Sequence, residues 1–474
     1  MRTLLRVIAL ILSVLMMLTL VSCGKQGEDE PLTTDDGEKV SAPPAEHTGY
    51  YGTMDGYVYL YKSGRNRNWE EDVLYFSENV LARHPRLVDE VWIYGVSERS
   101  DKTDEFYDPI LREEFILRID SLIYRIAELS DTEILCELDR TASILRDVNT
   151  NVSYPLEYYF PIRFVAIYEN GGTSLYVTSI QKDYAELIFG RLEAINGMPV
   201  ADVMSLVDEY TGSDSSYWKT YCTSHYDIIN AETLEAAGII DHEPYVAEFT
   251  VMTEQGSITA ELSAISNYEF TADIMESKSL KAAESLSYQN SDRYYWCEGF
   301  PDEGMVFVRM NYCYQMSDYT YSDFFSDIMK NVNSYDEPTK LVFDLRGNIP
   351  GNTPKGFDGF LASLKRAQTD GVYILIDSGT ILAPLGMTVS MKTELDNAVV
   401  IGEPAGQSPN MLLYTNYFKF RHFDDAHFLV SDKYYIGLDG YDDITYMPDI
   451  LVYQTFDDYK QGIDTVLEAV KSMD

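Results

Sequence analysis

A chain of 474 residues with 77 acidic and 36 basic side chains carries a formal charge of −41 at pH 7. Such a field repels phosphates, which excludes nucleic acid as a partner and disfavours a body lying flat on an anionic leaflet. The length exceeds what one small core organises, so two or three domains are expected.

The chain starts with a processing signal. Arg2 and Arg6 precede an apolar run from Val7 to Leu20, too short and wrongly flanked for a stable membrane span. The run ends in Leu20-Val21-Ser22-Cys23-Gly24, which resembles a bacterial lipoprotein signal. Residues 1–22 are therefore expected to be removed, with Cys23 lipidated and the mature chain held outside the cytoplasm on the bacterial cell membrane. Loss of Arg2 and Arg6 takes the formal charge from −41 to −43. Residues 23–48 are rich in Asp, Glu, Gly, Pro and Ser and poor in large apolar side chains, the composition of a flexible tether.

Residues 49–150 read as mostly helical. Apolar residues recur at helical spacing from Trp69 through Leu81, and again from Pro109 to Leu129. Ser130-Asp131-Thr132-Glu133 offers a cap, Ser130 or Asp131, for a third helix to about Arg146. Residues 151–290 read as β-rich. Phe164–Tyr168 and Ser174–Thr178 flank Gly171-Gly172 as a hairpin, and Asn196-Gly197 suits a type I′ turn. Helices are expected over Ala201–Tyr210 and around Ile228–Ala237. In residues 291–474, strands at Gly304–Met310, Leu341–Asp344, Val372–Asp377 and Ala398–Ile401 alternate with helices at Tyr321–Val332, Gly356–Lys365 and after Leu382. That alternation predicts an α/β domain with a largely parallel sheet.

Cys136, Cys222, Cys297 and Cys313 allow three pairings or free thiols. The six histidines, His47, His84, His225, His242, His422 and His427, show no metal-ligand spacing, so neither metal nor cofactor is expected. The 38 tyrosines cluster at places such as Tyr294-Tyr295-Trp296 and Tyr414 to Phe418, where they could line a groove or pack edges and core.

Several segments together resemble the tail-specific (carboxy-terminal-processing) serine peptidase family. They are Asp344-Leu345-Arg346-Gly347, Asp377-Ser378-Gly379-Thr380-Ile381-Leu382-Ala383, Ile195-Asn196-Gly197-Met198-Pro199, Gly402-Glu403-Pro404-Ala405-Gly406 and Met447-Pro448-Asp449-Ile450. The resemblance spans about Trp69 to Val470. It implies a ClpP/crotonase-like β-β-α core with an N-terminal helical region and a PDZ-like β-rich insert. It also implies serine-type peptidase activity, with the nucleophile at Leu382 and the histidine base at Asn149. Some members carry a lysine base near Gln407-Ser408, and oxyanion glycines fall at Ile349-Pro350-Gly351-Asn352. The chain departs from the pattern at each of these places. Leucine has no nucleophilic atom and an amide cannot accept a hydroxyl proton near neutral pH. Neither Gln407 nor Ser408 is a lysine, and Pro350 has no N–H, leaving Gly351 as an oxyanion donor. Ser378, Thr380 and Ser390 are the substitute nucleophile candidates. The expected protein is an exported lipoprotein, catalytically impaired or inactive, that binds an extended peptide or protein partner. Two alternatives stand beside it: an active serine-type peptidase with a substitute nucleophile, and a structural or glycan-interacting surface lipoprotein.

Overall fold

The computed structural model describes residues 64–95, 106–242, 244–266, 275–277, 285–348, 351–367, 369–441 and 444–473. Cys23, the acidic tether, Ile349 and Pro350 lie outside the described residues.

Helices α1 (Gly64–Arg83), α2 (Pro109–Arg125) and α3 (Asp131–Ser143) form the N-terminal layer. Their starts follow from local chemistry. Asp108 accepts the amides of Ile110 and Leu111 ahead of Pro109, and Ser130 and Glu133 close a reciprocal capping box. Trp69, Phe76, Phe115, Ile119 and Leu138 bury one face of each helix. The short strand β1 (Trp92–Gly95) interrupts this region, which the sequence pattern reads as helical. The core is closed from the far end of the chain by Phe420 and Phe428. The Asp72 carboxylate anchors that return by accepting the Arg421 and His422 amides at 2.8 and 3.0 Å.

Strand β2 (Asn151–Ser153) leads into the β-rich region. It holds β3 (Tyr158–Tyr159), β4 (Ile162–Glu169), β5 (Gly172–Gln181), β6 (Arg191–Ile195), β7 (Met198–Pro199), β8 (Val246–Thr253), β9 (Gly256–Ser263), β10 (Ile265–Ser266) and β11 (Met275–Ser277). Among the described residues, seven of these make one antiparallel sheet, in which β9 pairs only with β8. The β4–β5 turn falls on Asn170-Gly171, with φ of +52° and +81°, one residue earlier than Gly171-Gly172. Asparagine tolerates the left-handed region well enough to take the first turn position. Asn196 and Gly197, with φ of +47° and +74°, join β6 to β7 as a type I′ turn. Helices α4 (Val200–Val207), α5 (Ser216–His225) and α6 (Ala231–Ala236) lie in the long β7–β8 connection.

The C-terminal sheet runs β12 (Tyr295–Phe300), β13 (Met305–Met310), β14 (Thr339–Asp344), β15 (Thr369–Ile376), β16 (Ala398–Gly402) and, after the hairpin β17 (Met411–Lys419) and β18 (His427–Ile436), β19 (Ile450–Leu451). Only β12 is antiparallel to its neighbour. Alternate residues of the central strands go to opposite faces. Val306, Val308, Leu341 and Phe343 pack with α7 (Tyr321–Val332), α8 (Phe357–Leu364) and α9 (Leu382–Glu394), which supply Phe324, Phe360 and Leu385. Phe307, Val342 and Leu375 pack with Val466 and Val470 of the last helix, which follows α10 (Phe456–Gln461) as α11 (Thr465–Lys471). Burial on both faces is why these strands read as continuous apolar runs.

Tyr295 and Trp296 are core residues, so that aromatic cluster is packing. Cys136, Cys222, Cys297 and Cys313 are free thiols. Burial pushes the Cys136 and Cys313 thiols up to about 12, so neither is a thiolate near neutrality. Among the described residues no helix is long and apolar enough to cross a membrane.

Candidate functional site

Parallel strands β14 and β15 end side by side, so their turns meet at the carboxyl edge of the sheet, where open α/β sheets form sites. Asp377 organises both turns. Its Oδ1 accepts the Gly347 and Gly379 amides at 2.8 and 2.9 Å. Burial raises the Asp377 carboxyl pKa, and the Gly347 amide and Arg346 oppose that rise. Thr380 is fully buried; its hydroxyl accepts the Asp377 amide and lies 3.1 Å from the Leu345 carbonyl. That places Thr380 as a tie between the turns.

Leu382 opens α9 with φ of +50°. A left-handed leucine costs roughly 1–2 kcal/mol, strain of the kind found where a turn must thrust a side chain outward. Here the side chain so presented has no reactive atom. The Leu382 amide donates to Gln407 Oε1 at 3.1 Å. Gln407, Asp147, Val148 and Leu412 line a cavity of about 10 Å³, room for about one water. Asn149 is buried beside it: its side-chain amide donates to the Leu412 carbonyl at 2.8 Å and its backbone amide to Asp147 Oδ1 at 2.9 Å. The structure thus brings the Leu382 turn, through Gln407, and the Asp147–Asn149 segment around one small cavity.

His84, without a sequence signal, lies behind this segment. Its Nδ1 accepts the Arg86 amide and its Nε2 faces Asp147 Oδ2 at 3.4 Å. Complete burial lowers its pKa, and the neighbouring Asp147 carboxylate opposes that fall. Burial would raise the Asp147 carboxyl, but His84, Ser431 and Thr150 outweigh it and hold it below the usual range. Both ring nitrogens face protein groups, Arg86 and Asp147, and the ring is fully buried.

The face of α5 covers the turns. Trp218 stacks on Tyr221 at 5.4 Å and Tyr221 on His225 at 4.2 Å. A Cβ on Gly379 would come within 2.7 Å of the Tyr221 ring, and one on Gly406 within 3.2 Å of Trp218 and 2.3 Å of the Ser378 carbonyl. Gly406→Ala is therefore expected to cost about 1–3 kcal/mol by overpacking. Gly386, inside α9 with nothing within 4 Å of an added Cβ, is the opposite case. Gly386→Ala is expected to stabilise by about 1 kcal/mol through helix propensity. Urea denaturation of the two variants should show shifts of opposite sign.

The other sequence candidates are placed as follows. Ser378 is half-buried beneath Gly406. Ser390 donates to the Gly386 carbonyl within α9 at 2.9 Å. Ser408 is buried, donating to the Tyr441 carbonyl and accepting the Asn410 amide. Gly351 passes the Cys313 carbonyl, which an added Cβ would approach to 2.3 Å. Among the described residues no hydrogen bond joins any of these hydroxyls to a histidine or lysine, and no group of three or more His, Cys, Asp or Glu side chains could hold a metal.

The chain has a mixed α/β fold resembling that of CPAF, with an antiparallel β-rich region consistent with a PDZ-like insert. Mature CPAF complexed with lactacystin is similar at a TM-score of 0.56 and 12% identity, over 85% of this chain and 97% of that one. A CPAF point mutant gives a TM-score of 0.56 at 11% identity, over 85% and 96%. A putative S41 protease from Bacteroides fragilis gives a TM-score of 0.33 at 11% identity, over 84% and 96%. No protein-family model and no curated protein sequence matches the chain. Likeness at these identities concerns the fold alone.

Proposed function

We propose that this protein is an exported, lipid-anchored relative of the tail-specific serine peptidases that no longer cleaves and acts by binding an extended peptide or protein partner. The observation that carries the reading is the turn at Leu382. Its backbone keeps a strained φ of +50° while its amide is held by Gln407 and its side chain has no nucleophile. Acyl transfer needs a nucleophile, a base and free oxyanion donors. Asn149 spends its amide on Leu412, and Asp377 occupies the Gly347 and Gly379 amides. Among the described residues, β9 of the PDZ-like sheet is paired on one side, the arrangement that accepts an added strand.

A fluorophosphonate probe on the full chain is expected to leave every serine and threonine unlabelled; stoichiometric labelling at one of them would restore the active-peptidase reading. The double variant Leu382→Ser, Asn149→His is expected to stay inactive on unstructured peptides, because α5 covers the turns and Asp377 holds the amides. Cleavage by that variant would show an open, competent cleft. On a peptide array, saturable binding of extended sequences is expected, and its absence would favour a scaffold. Alkyne-fatty-acid labelling lost in Cys23→Ala tests the anchor.

A further inference from the structure

Helix α5 is built differently from its neighbours. Among the described residues, α1 to α4, α6 to α9 and α11 each give side chains to one of the apolar cores; α5 and the six-residue α10 give none. The ten residues from Ser216 to His225 include one strong helix former, Lys219. A helix of that length and composition is not stable by itself in water, so its contacts hold it. On the side of the β-rich region these are polar. Thr223 donates to the Asp208 carboxylate, and Lys219 Nζ donates to the Asp208 carbonyl at 3.1 Å. At the start of α5, Ser215 caps the Tyr217 amide and receives the Thr445 hydroxyl at 3.0 Å.

The other face of α5 is aromatic and lies on glycine. Trp218, Tyr221 and His225 recur at helical spacing and stack in series. Beneath them, three turns of the C-terminal sheet each present a glycine: Gly347 after β14, Gly379 after β15 and Gly406 after β16. A Cβ added at Gly379 or Gly347 would come within 2.7 or 3.5 Å of Tyr221, and one at Gly406 within 3.2 Å of Trp218. The three glycines thus form a platform without side chains, beside the Leu382 turn. Such a platform lets a flat ring approach the backbone closely, which suits aromatic side chains.

We propose that this glycine platform is the seat for an aromatic side chain of a bound peptide, and that α5 fills it in the free chain as a displaceable cover. The inference rests on the peptide-binding reading above and names what the peptide carries. A segment held by few apolar contacts opens at a lower free energy than the cores around it. A peptide that needs the open form binds with an affinity reduced by the open fraction.

Hydrogen exchange of the full chain tests the cover without any ligand. The amides of α5 are expected to exchange at least about 100-fold faster than those of α7 and α9. Binding is read by fluorescence anisotropy with a labelled Gly/Ser heptapeptide carrying one central tryptophan, beside the same peptide with alanine. The tryptophan peptide is expected to bind saturably below about 1 mM, and the alanine peptide at least about ten-fold more weakly. Trp218→Ala with Tyr221→Ala empties the seat and should tighten binding about five-fold or more, with a cooperative melting transition showing that the variant folds. Ser215→Cys with Thr445→Cys, oxidised, ties the start of α5 to the C-terminal domain. It should weaken binding at least about ten-fold, with recovery on reduction. Exchange of α5 only at the rate of α7 and α9 overturns the cover, as does equal binding by the oxidised and reduced chains. Equal binding of the tryptophan and alanine peptides overturns the aromatic seat while the peptide-binding reading stands. Fast exchange of α5 with neither peptide bound by any form overturns the seat and that reading together.

Discussion

Replacing Arg346 by methionine is expected to cost roughly 3–5 kcal/mol of stability, the range for breaking a buried ion pair from one side. Arg346 reaches Asp344 Oδ1 and Oδ2 at 2.9 and 2.8 Å, Asp464 Oδ1 and Oδ2 at 2.9 and 2.6 Å, and the Ser287 hydroxyl at 2.7 Å. Asp344 would keep Arg309 at 2.8 Å. Asp464, which also caps α11 through the Leu467 amide, would keep no cation within ion-pair distance among the described residues. The cost therefore falls on Asp464 and on the seating of α11. Burial alone would raise the Asp464 carboxyl, but Arg346, Ser287 and the Leu467 amide outweigh it and hold it far below the usual range. A lowered carboxyl stabilises the fold above its unfolded pKa near 4, and the contribution fades as pH falls toward the folded value. The gap between wild type and Arg346→Met should thus be widest above about pH 5 and shrink below about pH 4. Arg346→Lys, which keeps charge without the fork, should lie between. Asp464→Asn in the methionine background should recover part of the loss. Urea denaturation midpoints at two pH values check each outcome; equal loss at both would move the cost away from ionisation.

Arg346 also shows what local pattern can convey. In the sequence, Asp344-Leu345-Arg346-Gly347 marks a strand running into a turn; the structure shows that its arginine clamps the end of β14 to a helix cap 118 residues away. The central sheet was legible because strands buried on both faces are apolar throughout, as in Val372–Ile376. Helix α7 was legible because its buried Phe324, Phe325 and Ile328 keep helical spacing behind a Thr320–Asp323 capping box. The return of Phe420 and Phe428 onto α1 was not legible, because nothing local ties an Asp72 carboxylate to amides about 350 residues later in the chain. Strand β1 was missed for the same reason: its four residues gain a partner only when β18 lies alongside.

The candidate site divides in the same way. Leu382, Asn149 and Gln407 could be located by spacing within a familiar frame. That Gln407 reaches the Leu382 amide, or that Asn149 is turned onto Leu412, depends on loops meeting in space. His84 and His225 gave no signal, since isolated histidines without ligand spacing are most often packed side chains. Trp218 and Tyr221 could not be placed over Gly379 and Gly406 without the path of α5.

A second large effect is expected from pH. Asp139, on α3, and Asp227, following α5, have carboxyls pushed up to about 7, chiefly by burial. The Val152 amide opposes the rise at Asp139 and Thr211 opposes it at Asp227, while the Asp227 charge adds to the first and the Asp208 charge to the second. The sign is opposite to that of Asp464. An acid raised in the fold leaves stability highest below its unfolded pKa, near 4. Stability then declines as pH rises toward the folded value and is level above it. Asp139→Asn keeps an acceptor for the Val152 amide, 2.9 Å away, and removes the ionisation. Its gain over wild type should be small at pH 4.5 and grow toward pH 8, to an upper bound of about 4 kcal/mol for a shift of about three units. Asp227→Asn should behave alike. The double variant should gain less than the sum, because each removal also relieves the repulsion felt by the other. Urea denaturation at the two pH values decides it: a gain independent of pH would mean that these carboxyls are ionised throughout. The location gives the effect reach. Gly212, between the two buried acids in the chain, leaves no room for a Cβ against the Asp147 carbonyl, 2.6 Å away. Asp227 accepts the Thr211 hydroxyl, and the adjoining Gly212 backs onto Asp147, two residues before Asn149.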